Sequence, residues 1–142
     1  MIQRIQSILL GCAVLINALL LLIPVYKFIA ADPAVSPEDY VITKNALLTI
    51  LNCGVGVLSL LAVFLYKNRN LQIRVTNLSL LLTVILTGLL FFVADTLSGG
   101  MNKRVEYVTG SYLPIIEMLF LFLAVRFIKK DEELVRSADR LR

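Results

Sequence analysis

The sequence predicts an all-α protein: a four-helix transmembrane bundle with both termini cytoplasmic and a short charged cytoplasmic helical tail. Three observations predict it. The 142 residues are 58% hydrophobic and 17% charged, with mean hydropathy +0.85, whereas soluble domains are roughly 45–50% apolar and about a quarter charged. Four stretches match the ~20 apolar residues that a helix needs to cross ~30 Å of hydrocarbon. The basic residues are shared unequally between the two ends of those stretches. A chain of this length is read as one integral membrane domain, 1–142, with its tail at 129–142.

The spans are placed at about Ile5–Tyr26, Thr43–Tyr66, Leu71–Ala94 and Val108–Ile128, with Tyr26, Tyr66, Tyr107 and Tyr112 near their ends, where an amphipathic ring favours the interface. The first span is read as retained. No small-residue cleavage site follows it, and "LLGC" (Leu9–Cys12) has too short an apolar run before it to be a lipoprotein box. Orientation follows from the lysines and arginines flanking the spans. Arg4, Lys67, Arg69, Arg74, Arg126, Lys129, Lys130, Arg136, Arg140 and Arg142 lie on one side; Lys27, Lys44, Lys103 and Arg104 lie on the other. Ten against four places both termini and the "KNRN" turn in the cytoplasm.

In the first outer loop, "SPED" (Ser36–Asp39) has the order of a helix start: a serine cap, proline at the first helical position and acids in the first turn. It predicts a second helix beginning at Pro37. The second outer loop has a Gly-Gly break, then the alternation "VEYVT", read either as a small extended lip or as irregular chain. Both loops are too small for an independent folded domain.

Small and polar residues mark the helix faces that pack. Thr49, Asn52, Cys53, Gly56 and Ser59 recur at helical spacing in the second span; Thr76, Ser79, Thr83 and Thr87 do so in the third; Ser7, Gly11 and Ala18, with Asn17 beside them, do so in the first. Glu117 is the single acid well inside a span, where an isolated carboxylate costs at least about 2.5–3.5 kcal/mol. Counted inward from the outer ends, Asn17, Asn52, Thr83, Thr87 and Glu117 fall at one level, an intramembrane polar layer. Two readings of it stand. In one, Glu117 is protonated and hydrogen-bonds to Asn17 or Asn52, fixing helix register. In the other, Glu117 with Asn17 and Asn52 is a cation or proton site of a small coupled transporter or channel. Pro114, three residues before Glu117, lies within the first two turns, where proline disturbs a helix little.

Catalytic chemistry finds little footing. There is no histidine, the commonest general base and metal ligand, and no phosphate loop, nucleophile triad or metal-ligand spacing. Cys12 and Cys53 differ in height by roughly 9 Å at 1.5 Å per residue, too far for a disulfide, and read as packing residues. No enzyme, metal or cofactor is expected, and a net charge of +4 is no nucleic-acid footprint.

The ending "RFIKKDEELVRSADRLR" reads as a cytoplasmic continuation of the fourth helix, with Ile128, Leu134, Ala138 and Leu141 along one edge and Glu132 facing Arg136 at i+4. From Lys129 onward it carries five basic and four acidic residues, too balanced for a lipid-headgroup clamp. Together with "MIQRIQS" at the start and "NRNLQIR" (Asn68–Arg74) between the second and third spans, "LAVRFIKKDEELVRSADRLR" resembles a family of uncharacterised four-span membrane proteins of Bacteroidota-type bacteria. The resemblance covers the whole chain. It implies a bacterial inner-membrane location and four helices, and it implies no activity. Glu117 is not among the residues that carry it. The resemblance therefore directs attention to the cytoplasmic face. The expectation is an accessory or scaffold subunit that docks another membrane or cytoplasmic protein, or a second copy of itself, through Gln72, Arg74, Asp131, Glu132, Glu133, Arg136, Asp139, Arg140 and Arg142, with the lipid bilayer as its other partner.

Overall fold

A computed structural model describes residues 2–29, 36–101 and 104–139. Four α-helices, α1 (Ile2–Leu20), α2 (Ala46–Phe64), α3 (Arg69–Met101) and α4 (Leu113–Asp139), carry most of the chain. Three short strands, β1 (Tyr26–Ile29), β2 (Glu38–Tyr40) and β3 (Arg104–Tyr107), form one antiparallel sheet in the order β2-β1-β3. α1 packs on α2 and α4, and α3 packs on the same two helices from the other side. Three helical stretches, Ala46–Lys67, Arg69–Gly99 and Thr109–Val135, are long and apolar enough to cross a membrane; Ile5–Leu20 is shorter. Their outward faces are apolar, with Ile8, Ile50, Phe64, Phe92 and Leu119 exposed.

Several expected boundaries shift, some for local reasons and some through tertiary pairing. The first span was placed through Tyr26, but α1 ends at Leu20 because Pro24 disfavours helix in the residue before it and cannot donate. The chain can leave the helix among apolar residues because its backbone remains bonded. Leu21 N donates to Ala18 O, Leu22 N and Ile23 N donate to Leu19 O, and Val25 N donates to Tyr40 O at 2.8 Å. Val25 O in turn accepts from Val108 N and from the Ser111 hydroxyl. Irregular backbone buried in protein in this way incurs no penalty for lost hydration.

The helix start expected at Pro37 is not used. Glu38–Tyr40 is a strand, and α2 begins at Ala46, capped by Asn45, whose side chain accepts from Leu47 N and Leu48 N. An N-cap contributes about 1 kcal/mol. The competing sheet buries Tyr40 against Tyr26 with ring centroids 5.3 Å apart and pairs Tyr26 with both Tyr40 and Tyr107. Tertiary burial therefore outweighs the local signal. The extended lip expected in "VEYVT" is β3, paired along its length with β1. α3 runs past Ala94 and through the expected Gly-Gly break. Each glycine costs only about 1 kcal/mol in a helix, and Leu97 packs against the cluster of Val25, Tyr26, Phe28, Leu86, Leu90 and Ala94 that seats the sheet on α3. The Tyr26 hydroxyl donates to Leu90 O at 2.7 Å and fixes that seat. α4 begins at Leu113, after a 3-10 turn at Thr109–Tyr112, not at Val108, so Pro114 is its second residue and interrupts no bond.

Gly110 sits where the 3-10 turn before α4 meets the end of the first apolar run. A Cβ there would lie 2.3 Å from Pro24 O and 2.9 Å from Pro24 C, both backbone atoms. Gly110→Ala is expected to lower stability in detergent by about 1–3 kcal/mol, as overpacking does. Gly88→Ala, on α3 with nothing within 4 Å of the added carbon, is expected to be neutral or slightly stabilising. Thermal unfolding of both variants beside the parent checks the contrast.

Candidate functional site

Asn17, Asn52 and Glu117 project from α1, α2 and α4 into one buried cluster, at 4%, 0% and 0% exposure. The two asparagines face each other reciprocally: Asn17 Nδ2 donates to Asn52 Oδ1 at 3.2 Å, and Asn52 Nδ2 donates to Asn17 Oδ1 at 3.3 Å. The second hydrogen of each amide is also engaged. Asn52 Nδ2 reaches the Asn17 backbone carbonyl at 3.1 Å, and Asn17 Nδ2 reaches Glu117 Oε1 at 3.3 Å. Glu117 Oε2 is buried with no hydrogen-bond partner among the described residues. Gly56, one turn beyond Asn52 on α2, makes room for the pair; a Cβ there would lie 2.5 Å from Asn17 Oδ1.

α3 enters this layer differently from the other helices. Thr83 is buried but donates to Ser79 O at 2.9 Å, and Thr87 donates to Thr83 O at 2.7 Å. Both hydroxyls thus serve their own helix, and Ile85 between them faces outward. α3 is tied to α2 further along by Ser59 and Ser79, whose hydroxyls are 2.7 Å apart. The expected packing faces are narrower than their lists of small residues. Cys53 and Ala18 are exposed, and Gly11 has open space beside it. Cys12 and Cys53 are both free.

At the opposite end of the helices, the residues expected to meet a partner separate into two groups. Gln72, expected at the surface, is instead buried at 2% exposure, and its Nε2 donates to Ala62 O at 3.0 Å, so its side chain closes the α2–α3 turn. Asp131 is also engaged internally, in an ion pair at 3.2 Å with Arg69 at the start of α3. Arg74, Glu132 and Glu133 remain accessible and, with Asn70, Ile73 and Lys129, line a groove of about 500 Å³. The side chains of Arg136 and Asp139, and residues Arg140 and Arg142 altogether, lie outside the described residues. α4 itself continues unbroken to Asp139, as the tail reading expected.

Two positions escaped the sequence reading. Gln6 is buried and donates to Phe127 O at 3.1 Å, tying α1 to α4. It lies eleven residues, about three turns, before Asn17, so helical periodicity places both on one edge. Arg69 was counted only for its charge, and sequence spacing carries no sign of its pairing with Asp131 62 positions later. Among the described residues no group of three or more Cys, Asp or Glu could hold a metal ion.

Helices of membrane-crossing length, joined across their seams by buried amides and hydroxyls, define an α-helical protein compatible with a bilayer. Within that class the chain belongs to the DUF4293 family, a domain of unknown function, whose model matches residues 2–141. No curated protein and no solved structure matches it significantly.

The cluster makes a stability prediction. Glu117→Gln keeps an acceptor for Asn17 and a similar volume, so thermal stability in detergent is expected to change little. Glu117→Leu removes the link between α1 and α4 at this level and is expected to cost of order 1 kcal/mol. Equal losses in the two variants, measured by thermal unfolding, would refute the hydrogen-bonding role.

Proposed function

We propose that the protein is a non-enzymatic integral protein of the bacterial inner membrane, an accessory or scaffold subunit that docks a partner through the charged ends of α3 and α4. One observation carries the reading. α4 runs without interruption from its apolar stretch into the charged segment, and the Arg69–Asp131 pair braces that segment against α3. Charges that only anchor topology require neither a rigid helix nor a brace. Held this way, Arg74, Lys129, Glu132 and Glu133 present both signs of charge at set positions around a groove, the arrangement by which rim charges select a partner. The partner is another membrane or cytoplasmic protein, or a second copy of this chain.

The reading takes the four helices as a transmembrane bundle with both termini in the cytoplasm, on the ten-to-four distribution of basic residues. α1 is the shortest crossing. Its apolar part, Ile5–Leu20, is about 24 Å long at 1.5 Å per residue, and the bonded apolar segment 21–25 completes the passage. The non-enzymatic reading rests on the absence of histidine and of any nucleophile–base arrangement in the sequence.

Two experiments test this. A reporter fused after Arg142 is expected to be active only in its cytoplasmic form; periplasmic activity would overturn the orientation. A photoreactive residue in place of Ile73, in the groove, is expected to crosslink one defined partner in cells. Arg74→Glu combined with Glu133→Lys is expected to abolish that crosslink at least about tenfold while insertion and abundance are unchanged, because the remaining basic residues still set orientation. Undiminished crosslinking in the double variant would contradict docking at the groove.

A further inference from the structure

We propose that the Asn17–Asn52–Glu117 cluster is a binding site for one monovalent cation, a proton or a sodium ion, with Glu117 as its anionic ligand. The starting point is an imbalance in the hydrogen bonding. Glu117 has no exposed surface; its Oε1 has one donor, and its Oε2 has none among the described residues. The neighbouring amides have nothing more to give. Asn17 Nδ2 is bound to Asn52 Oδ1 and Glu117 Oε1, and Asn52 Nδ2 to Asn17 O and Oδ1. All four amide hydrogens are engaged, so neither side chain can turn to Oε2 without breaking the reciprocal pair. Buried polar atoms are nearly always satisfied, and a carboxyl group in this position carries a standing requirement for one further positive partner.

No described residue supplies that partner. Among the described residues no basic side chain pairs with Glu117: the ion pairs are Lys27–Asp39, Lys44–Glu38 and Arg69–Asp131. Arg126, the next basic residue on α4, is exposed and about 13 Å further along the axis. On α2 the nearest cation in sequence is Lys44, engaged with Glu38 at 2.8 Å. The other ionisable groups of the packed helices also lie elsewhere. Cys53 faces outward beside Asn52, Cys12 lies more than a turn before Asn17, and Arg74 and Asp95 are exposed towards the ends of α3. Glu117 is therefore the single ionisable group of the cluster.

The donor set defines the ligand class. One carboxylate neutralises one positive charge, and the other oxygens of the hydrogen-bonded cluster are neutral: Asn17 Oδ1, Asn52 Oδ1 and the Asn17 carbonyl, each an sp² acceptor with a second lone pair. Divalent cations use oxygen sites with more carboxylates or retained water, and soft metals use sulfur; neither matches one acid among amides in an apolar surround. A proton needs only Oε2. A sodium ion needs Oε2 together with the amide oxygens. Both satisfy the same charge, and experiment separates them.

The test uses the full chain in detergent, with thermal unfolding followed at constant ionic strength while Na⁺ replaces choline, and separately across pH. A ligand bound only by the folded state raises the melting temperature, by about 5 °C or more once it is present at 100 times its dissociation constant. The expected result is a rise in wild type that is lost in Glu117→Gln, whose neutral amide occupies the same place. A rise with Na⁺ at fixed pH identifies sodium; a rise on acidification without a Na⁺ response identifies the proton. Identical responses in wild type and variant to both ions overturn the proposal. Should the variant fail to fold, wild type alone decides. Dicyclohexylcarbodiimide, which attacks protonated carboxyls in apolar surroundings, is expected to modify Glu117, as located by mass spectrometry, with protection by alkali or by Na⁺. Modification that is absent, or unaffected by either ion, overturns the proposal.

Discussion

The reciprocal amide pair of Asn17 and Asn52, with Glu117 hung from it, is the interaction on which the helix arrangement depends. Between helices in lipid there is no hydrophobic driving force, since acyl chains are as apolar as leucine. Association needs close packing and directional bonds, and this cluster supplies directional bonds to three helices at once. The other seams are closed by the same means at other heights: Ser59 with Ser79 between α2 and α3, Gln6 with Phe127 O between α1 and α4, and Arg69 with Asp131 where α3 meets α4. Apolar residues such as Leu10, Ala13, Ala62, Leu121 and Ala124 fill the space between these ties. Polar contacts thus set register, and apolar ones set distance.

A short first helix imposes the second constraint. α1 stops at Leu20, yet the chain beyond it is still apolar through Val25. A bare turn among such apolar residues would leave backbone groups unsatisfied, which an apolar surround does not tolerate. The small sheet removes the problem. β2 and the turn before α4 bond to Val25 from either side, Gly110 lets the backbones meet, and Tyr26 bolts the sheet to α3. The sheet thus closes over the end of the short helix, and its two surface ion pairs, Lys27–Asp39 and Lys44–Glu38, add little to it.

Much of this was legible in the sequence, and the failures share a cause. The apolar runs located all four helices, because an uninterrupted apolar run of such length is a pattern that few other structures share. The depth of Asn17, Asn52 and Glu117 could be counted from helix ends, since rise per residue is fixed. Helix termini were less legible. "SPED" is a sound local start signal, and only the long-range pairing of Tyr40 with Tyr26 overrides it. Glu117 and the asparagines were found because polarity inside an apolar run is conspicuous; Gln6 was passed over and Gln72 was expected at the surface because polarity near a run's end is not. Arg69–Asp131 joins positions far apart in the chain, and only the packing of α3 against α4 brings them together.

The molecule is a helical membrane-compatible protein with a charged helix end paired to α3 and a buried acid hung from an amide pair. The central claim is that the amide pair couples α1 to α2 energetically. The most direct measurement is a double-mutant cycle on thermal or denaturant unfolding in detergent with Asn17→Ala, Asn52→Ala and the combination. The two losses are expected not to be additive, with a coupling of about 0.6–1.7 kcal/mol, the scale of interhelical hydrogen bonds in membranes. Strict additivity, with the double variant losing the full total of the two single losses, would contradict it.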